Sequence, residues 1–264
     1  MTLQAGDGYV AMGSSYAAGP FLGERVPGSP RAAGRSLQNY AHLVAADLGL
    51  ALTDVTFSGA TAAELLHGTD AHNATGSGMA PQVDALTPAT RLVTITGGGN
   101  DVGYIGRMTL GSIPAPLAWL PFVRRGRRVF DTPTQTDAKF ARLEVDLRAL
   151  IAEIRARSPQ AEIVLVEYLS VLPADDSTPI GRFPRELADW GRATLARLAA
   201  LTGSVGTDTG CVVVPVTAAS VGHHAWSPSP WTRRLQFSRR KGAPYHPNLA
   251  GMRGVAELVE GAIG

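Results

Sequence analysis

Apolar positions along this chain follow two patterns in turn. The stretches Tyr9 to Met12, Asp54 to Phe57, Arg91 to Thr96, Glu162 to Glu167 and Cys211 to Val214 are short and rich in consecutive apolar or β-branched residues, which predicts strands buried on both faces. Between them the spacing becomes helical. Tyr40, Leu43, Val44, Ala45 and Leu48 share one face of a helix expected from an N-cap at Ser36 through Leu48, with Gly49 as its stop. Phe140, Leu143, Leu147, Leu150, Ile151 and Ile154 do the same over 134–158, and Pro159 follows. Two further helices are expected over about 184–201 and 247–263. Strands alternating with helices predict an α/β protein, with a parallel sheet covered on both faces, in one domain over residues 1–264.

In such sheets the ligand site lies beyond the carboxyl ends of the strands. Three glycine-rich turns fall there: Gly13-Ser14-Ser15-Tyr16-Ala17-Ala18-Gly19 after the first strand, Ser58-Gly59-Ala60-Thr61 after the second, and Gly97-Gly98-Gly99-Asn100-Asp101 after the third.

Residues 102–133 interrupt the alternation. An apolar stretch broken by prolines, Ile113 to Val123, runs into Arg124-Arg125-Gly126-Arg127-Arg128. Either this insertion is a lid, greasy on one side and cationic at its end, or it is a packed excursion with solvated arginines.

Composition narrows the classes. A hydrophobic fraction of 45% and a charged fraction of 17% are globular values, and no apolar run approaches the ~20 residues of a membrane span, so stable insertion is not expected. A formal charge of +2 gives no argument for nucleic acid. Lys139 and Lys241 are the only lysines; the arginine bias fits a GC-rich coding sequence. The single cysteine, Cys211, reads as a buried structural thiol. Met1 to Asp7 has neither a basic n-region nor an apolar h-region, so the expectation is a cytoplasmic protein, or a secreted one whose signal peptide was removed.

The serine turn raises the question of acyl transfer, which needs a nucleophile, a base within hydrogen-bond reach and donors aimed at the developing oxyanion. Ser15 is the candidate nucleophile. The N–H groups of Ser15 and Gly59 and the side-chain amide of Asn100 all stand just past a strand end and are candidate oxyanion donors. The base is to be found among six histidines. His42 falls inside a helix, His67 and His72 in a polar loop, and His223 and His224 are adjacent. His246 precedes the last helix, with Pro247 suited to its first turn. No Cys/His/Asp cluster has metal-ligand spacing, and Gly97-Gly98-Gly99 lacks the residues of a phosphate loop. Arg233, Arg234, Arg239, Arg240 and Lys241 either attract an anionic substrate or form a solvated loop.

Taken in order, Gly13-Ser14-Ser15 with Gly19, then Gly59, then Gly98-Gly99-Asn100-Asp101, then His246-Pro247-Asn248 resemble the SGNH, or GDSL-type, hydrolase family (esterases and lipases). The resemblance runs from about residue 8 to residue 254. It implies Ser15 as nucleophile, Ser15, Gly59 and Asn100 as oxyanion hole, His246 as base, a flavodoxin-like three-layer α/β/α sandwich, and neither metal nor organic cofactor. The implied substrate is a small-molecule or lipid ester, acyl or acetyl. Two positions depart from the pattern. Ser14 stands where the family usually has aspartate before its serine, and Ala243 stands where it usually has aspartate three residues before the histidine. Losing that second carboxylate from a working triad can cost ~10⁴ in kcat. The expectation is a Ser15–His246 dyad with a backbone carbonyl near Ala243 as third member; the alternatives are a carboxylate from elsewhere, such as Asp101 or Asp131, or a weakened scaffold that binds glycan or lipid.

Overall fold

The computed structural model describes residues 3–70, 78–114, 131–236 and 242–264. Five strands, β1 Gly8–Gly13, β2 Ala51–Asp54, β3 Thr90–Thr96, β4 Glu162–Val166 and β5 Val212–Val214, form one sheet in the order β2-β1-β3-β4-β5. Every pairing is parallel, and β1 meets β3 in register through Met12↔Ile95 and Gly13↔Thr96. The helices are α1 Ser15–Ala18, α2 Tyr40–Leu48, α3 Ala62–His67, α4 Tyr104–Ser112, α5 Pro133–Arg157, α6 Arg185–Thr209, α7 Val216–Ala219 and α8 Leu249–Ile263. α2 packs on α8, while α3 packs on α5 and α5 on α6, so helices flank the sheet as the three-layer α/β expectation requires. The order turns back at β1, whose two neighbours start separate halves of the sheet, and this switch point is where such folds open a crevice.

The middle of the sheet carries polar side chains that are satisfied internally. Tyr9 Oη lies 2.7 Å from Thr94 Oγ1, and Tyr40 Oη, from α2, lies 2.9 Å from Thr96 Oγ1, so the hydroxyls of a central strand are buried without being orphaned.

Several boundaries differ from the sequence expectation. The second strand is Ala51–Asp54 rather than 54–57, and its residues are alternately exposed because it is the sheet's edge. Val55 and Phe57, which supplied the apolar cue, follow it and still donate to Ala11 and Gly13 carbonyls at 3.0 and 2.9 Å. α2 begins at Tyr40 with Asn39 as N-cap, its side chain accepting from His42 N at 3.0 Å. Ser36 instead shapes the preceding turn, accepting from Gln38 N and donating to the Leu22 carbonyl. α5 starts at Pro133, capped by a Thr132/Gln135 box, and α8 starts at Leu249 with Asn248 as cap. α6 continues past Leu201 to Thr209 despite Gly203 and Gly206, because it packs on β5. Cys211 is half-buried rather than buried.

The start of the expected insertion belongs to the core. Val102, Tyr104, Ile105 and Met108 are buried, and Arg107 of α4 lies 4.2 Å over the Trp190 ring of α6. The rest of the stretch read as a lid, 115–130, lies outside the described residues, as do His72 and Arg239, Arg240 and Lys241. Among the described residues no helix is long and apolar enough to cross a membrane.

Candidate active site

β1 and β3 end side by side, and their turns interlock. Gly13 has φ +134°, and a Cβ there would stand 2.4 Å from the Thr96 carbonyl, so this position admits glycine alone. Ser14 N donates to that same carbonyl at 2.9 Å, and the Gln82 amide grips both ends of Gly13, accepting from its N–H at 2.8 Å and donating to its carbonyl at 3.1 Å. The chain then enters α1, whose first residue is Ser15.

Ser14, in the place of the family's usual aspartate, points away from the opening. It is buried, and its Oγ lies 3.2 Å from Tyr168 Oη, which also accepts from Gly99 N at 3.0 Å. A Cβ on Gly99 would stand 2.7 Å from the Tyr168 ring, so that close approach needs glycine. Tyr168 thus clamps the β1 turn to the β3 turn. Sequence reasoning did not single it out, because a tyrosine after an apolar strand reads as core.

Ser15 Oγ lies 2.8 Å from His246 Nε2. On the other side of the ring, His246 Nδ1 lies 2.7 Å from the Pro244 carbonyl. A carbonyl only accepts, so Nδ1 carries the proton and Nε2 is left as the acceptor facing the serine. The carbonyl is that of Pro244, while the Ala243 carbonyl accepts from His246 N at 3.4 Å. Asp101 is turned elsewhere, accepting from Ala62 N at the start of α3 at 3.0 and 3.2 Å, and Asp131 pairs with Lys139 at 2.7 Å.

The histidine loop owes its shape to two tyrosines. Tyr245 sits in the left-handed region at φ +57°, which a non-glycine residue adopts only when its surroundings hold it there. Tyr16 Oη, one residue past Ser15, donates to the Tyr245 carbonyl at 2.6 Å; Tyr245 N donates to the Arg233 carbonyl at 2.9 Å; Tyr245 Oη donates to Ser112 Oγ at 2.8 Å. The reversed residue lies between Pro244 and His246, which lets the carbonyl of one meet the ring of the other.

Burial pushes the His246 imidazole down to about 4, against a smaller upward pull from the Pro244 carbonyl. Its ring is therefore uncharged at neutral pH. Burial pushes the Asp101 carboxyl the other way, up to about 6, despite the Ala62 amide.

Ser15, Gly59 and His246 line one cavity of about 500 Å³, walled on its apolar side by Pro20, Phe21, Leu22 and Ala32. Among the described residues neither Ser15 N–H nor Gly59 N–H has an acceptor. Asn100 does not line the cavity; its Nδ2 donates to the Ala60 carbonyl at 2.9 Å, leaving one amide hydrogen unused beside the Gly59 turn.

The other described histidines are occupied elsewhere. His42 Nε2 lies 3.5 Å from Asp54, His67 ends α3 rather than sitting in a loop, and His223 stacks on Trp231 at 4.3 Å. His224 accepts from Trp226 N at 3.2 Å. No group of three metal-binding side chains occurs among the described residues.

Residues 11–253 match the GDSL-like lipase/acylhydrolase family. The chain belongs to that family. It is 32% identical to Lipase 2 of Streptomyces coelicolor over 97% of this chain and 85% of that protein. Its fold is that of an extracellular lipase from Streptomyces rimosus, with a TM-score of 0.73 at 23% identity over 97% of this chain and 99% of the other. An acetylxylan esterase from Geobacillus stearothermophilus shares the architecture more loosely, with a TM-score of 0.57 at 17% identity over 100% and 97% of the two chains. Family and relatives make this chain a carboxylic ester hydrolase.

Proposed function

We propose that the chain cleaves carboxylic esters through an acyl-enzyme on Ser15, with His246 as general base and the Pro244 carbonyl in place of the triad carboxylate. The observation that carries this reading is the continuous relay Pro244 O, His246 Nδ1, His246 Nε2, Ser15 Oγ, with spans of 2.7 and 2.8 Å. As Ser15 Oγ attacks the ester carbonyl carbon, Nε2 takes its proton and the carbonyl oxygen becomes an oxyanion. Ser15 N–H, Gly59 N–H and the remaining Asn100 amide hydrogen are the donors for that charge. The tetrahedral adduct collapses, the alcohol leaves with the proton from His246, and the acyl group stays on Ser15. A water molecule then gives His246 a proton, attacks the acyl carbon and restores Ser15 as the carboxylic acid departs.

The Pro244 carbonyl fixes the tautomer as a carboxylate would, but it is a dipole rather than a charge and stabilises the imidazolium less. The apolar wall of Pro20, Phe21, Leu22 and Ala32 favours an acyl chain over an acetyl group. The test is hydrolysis of p-nitrophenyl esters from two to sixteen carbons by the wild type, Ser15→Ala and His246→Ala. Turnover lost in both variants, with an optimum above two carbons in the wild type, is expected. Wild-type turnover that survives Ser15→Ala would rule out the serine route.

A further inference from the structure

Ser15 and Gly59 can serve one oxyanion only if their N–H groups converge, and they stand on different turns. The Gly59 turn leaves a single donor free. Thr56 N donates to Asp54 Oδ1 at 3.0 Å, Phe57 N to the Gly13 carbonyl at 2.9 Å, Ser58 N to the Ala33 carbonyl at 3.0 Å and Ala60 N to the Phe57 carbonyl at 3.1 Å. Among the described residues that leaves Gly59 N–H as the one amide of 56–60 without an acceptor. It belongs to the planar peptide that joins Ser58 to Gly59, so its direction follows the placement of Ser58.

That placement comes from outside the turn, from residues 33–36. The Ala33 carbonyl accepts from Ser58 Oγ at 2.8 Å as well as from its N–H. Gly34, at φ +66°, passes so close that a Cβ there would stand 2.8 Å from Ser58 Oγ. Arg35 Nε donates to the Thr56 carbonyl at 2.7 Å, and Ser36 N donates to the Ala18 carbonyl, at the end of α1, at 2.9 Å. The stretch thus bridges the helix that begins with Ser15 and the turn that carries Gly59. Thr56 is the buried point of attachment: Asp54 accepts from its N–H and, at 2.7 Å, from its hydroxyl, while Arg35 meets its carbonyl. The guanidinium lies 4.0 Å from Asp54 Oδ1, on the wall of the cavity that holds Ser15, Gly59 and His246. A buried carbonyl that loses its donor costs stability where it stands, and its peptide relieves this by tilting, which carries Ser58 and Gly59 N–H with it.

We propose that Arg35 is a positioning residue for ester hydrolysis: through the Thr56 carbonyl it sets Gly59 N–H where it and Ser15 N–H meet one oxyanion. It acts through the turn rather than on the substrate. The assignment rests on the reading of Ser15, Gly59 and His246 above. Loss of an oxyanion donor costs ~10²–10³ in kcat, and its misplacement costs part of that.

An octyl trifluoromethyl ketone reads the oxyanion hole directly. Ser15 Oγ bonds to its carbonyl carbon, the serine proton passes to His246 Nε2, and the carbonyl π pair moves onto oxygen, giving an oxyanion that the same donors hold. Inhibition by this ketone and turnover of p-nitrophenyl octanoate are measured for the wild type, Arg35→Lys, Arg35→Met and Ser15→Ala. Arg35→Met is expected to lose about tenfold in kcat, with KM little changed, and about tenfold in ketone affinity. Arg35→Lys, which keeps the charge and a donor, is expected to lose about threefold in each, and it decides the matter if Arg35→Met does not fold. The acid limb of the rate profile should keep its wild-type midpoint in both, because the histidine loop is untouched. A role in folding alone would lower the melting temperature and leave kcat of the folded protein and ketone affinity at wild-type values, which overturns the assignment. So does a fall in kcat with ketone affinity unchanged or with the acid limb displaced, since the effect then lies with the base. A wild type that fails to bind the ketone, or binds it no better than Ser15→Ala, overturns the acyl-enzyme reading and this assignment with it. Ketone bound equally by wild type and both Arg35 variants overturns this assignment alone.

Discussion

Ser15 and His246 are brought together by two regions built on opposite principles. The serine stands on regular structure: a central parallel strand, a turn that admits only glycine at Gly13, and redundant bonds from Gln82 and Thr96. The histidine stands on a loop, 242–248, that belongs to no strand and is fixed by bonds from Tyr16, Tyr245 and Arg233. The difference teaches where each half is vulnerable. Damage to the serine side should register as lost folding, and damage to the histidine side as lost turnover in a folded protein.

The largest effect is expected from Gly13→Ala. The added Cβ meets the Thr96 carbonyl at 2.4 Å with the backbone at φ +134°, so the β1–β3 junction must open. A loss of ~3 kcal/mol or more is expected, read as a fall in melting temperature or as insoluble protein. A variant with wild-type melting would show that this turn is not the rigid half.

Tyr16→Phe is the matching change on the other side. The ring, tilted against that of Tyr168 with centroids 4.4 Å apart, is kept, while the bond to the Tyr245 carbonyl is lost. With that carbonyl freed, Tyr245 can leave φ +57° and carry Pro244 away from His246. About a tenfold fall in kcat is expected, with KM and melting temperature little changed, since one buried bond contributes ~1–2 kcal/mol. A fall in melting temperature without a change in kcat would erase the contrast between the halves.

The acid limb of the rate profile sharpens it further. With His246 as the proposed base, its pKa lowered by desolvation to about 4, the ring is uncharged over most of the acidic range, so kcat/KM should rise through about pH 4 and be flat by pH 6. An ordinary histidine would give a midpoint near ~6.5. In Tyr16→Phe, where the loop loosens and water reaches the ring, the midpoint should move upward.

The serine half was legible in the sequence and the rest of the site only in outline. Apolar runs ending in glycine give away β1, β3 and their turns, because geometry there is dictated by local residues. Ser15, Gly59 and Asn100 could be named as candidates on that basis, whereas His246 was singled out from six histidines only by the resemblance of the four blocks to the SGNH family. The carbonyl that meets the histidine could be placed only near Ala243, since choosing Pro244 depends on the left-handed Tyr245, and that depends on Tyr16, far away in the chain. The same holds for Arg233, whose burial no local pattern announces. β2 escaped for a different reason: an edge strand needs no apolar run.

The smallest expected effect is on stability between pH 4 and 6, where two half-buried groups oppose each other. His246 has its pKa lowered in the folded state to about 4, so on acidification below its ordinary value near ~6.5 the unfolded chain takes the proton first. Its contribution is complete above that value and is lost as pH falls toward 4. Asp101 has its pKa raised to about 6 from the ordinary 3.8, so the folded chain holds its proton more tightly. That contribution is present below 3.8 and is lost as pH rises through 6. Across the shared window the slopes cancel, and the wild-type melting temperature should carry little trace of either group. Asp101→Asn removes one of them, and its amide oxygen can still accept from Ala62 N. Relative to wild type, this variant should melt progressively higher as pH rises from 4 to 6. His246→Ala should show the reverse tilt, and parallel curves for all three proteins would mean that neither group is desolvated as described.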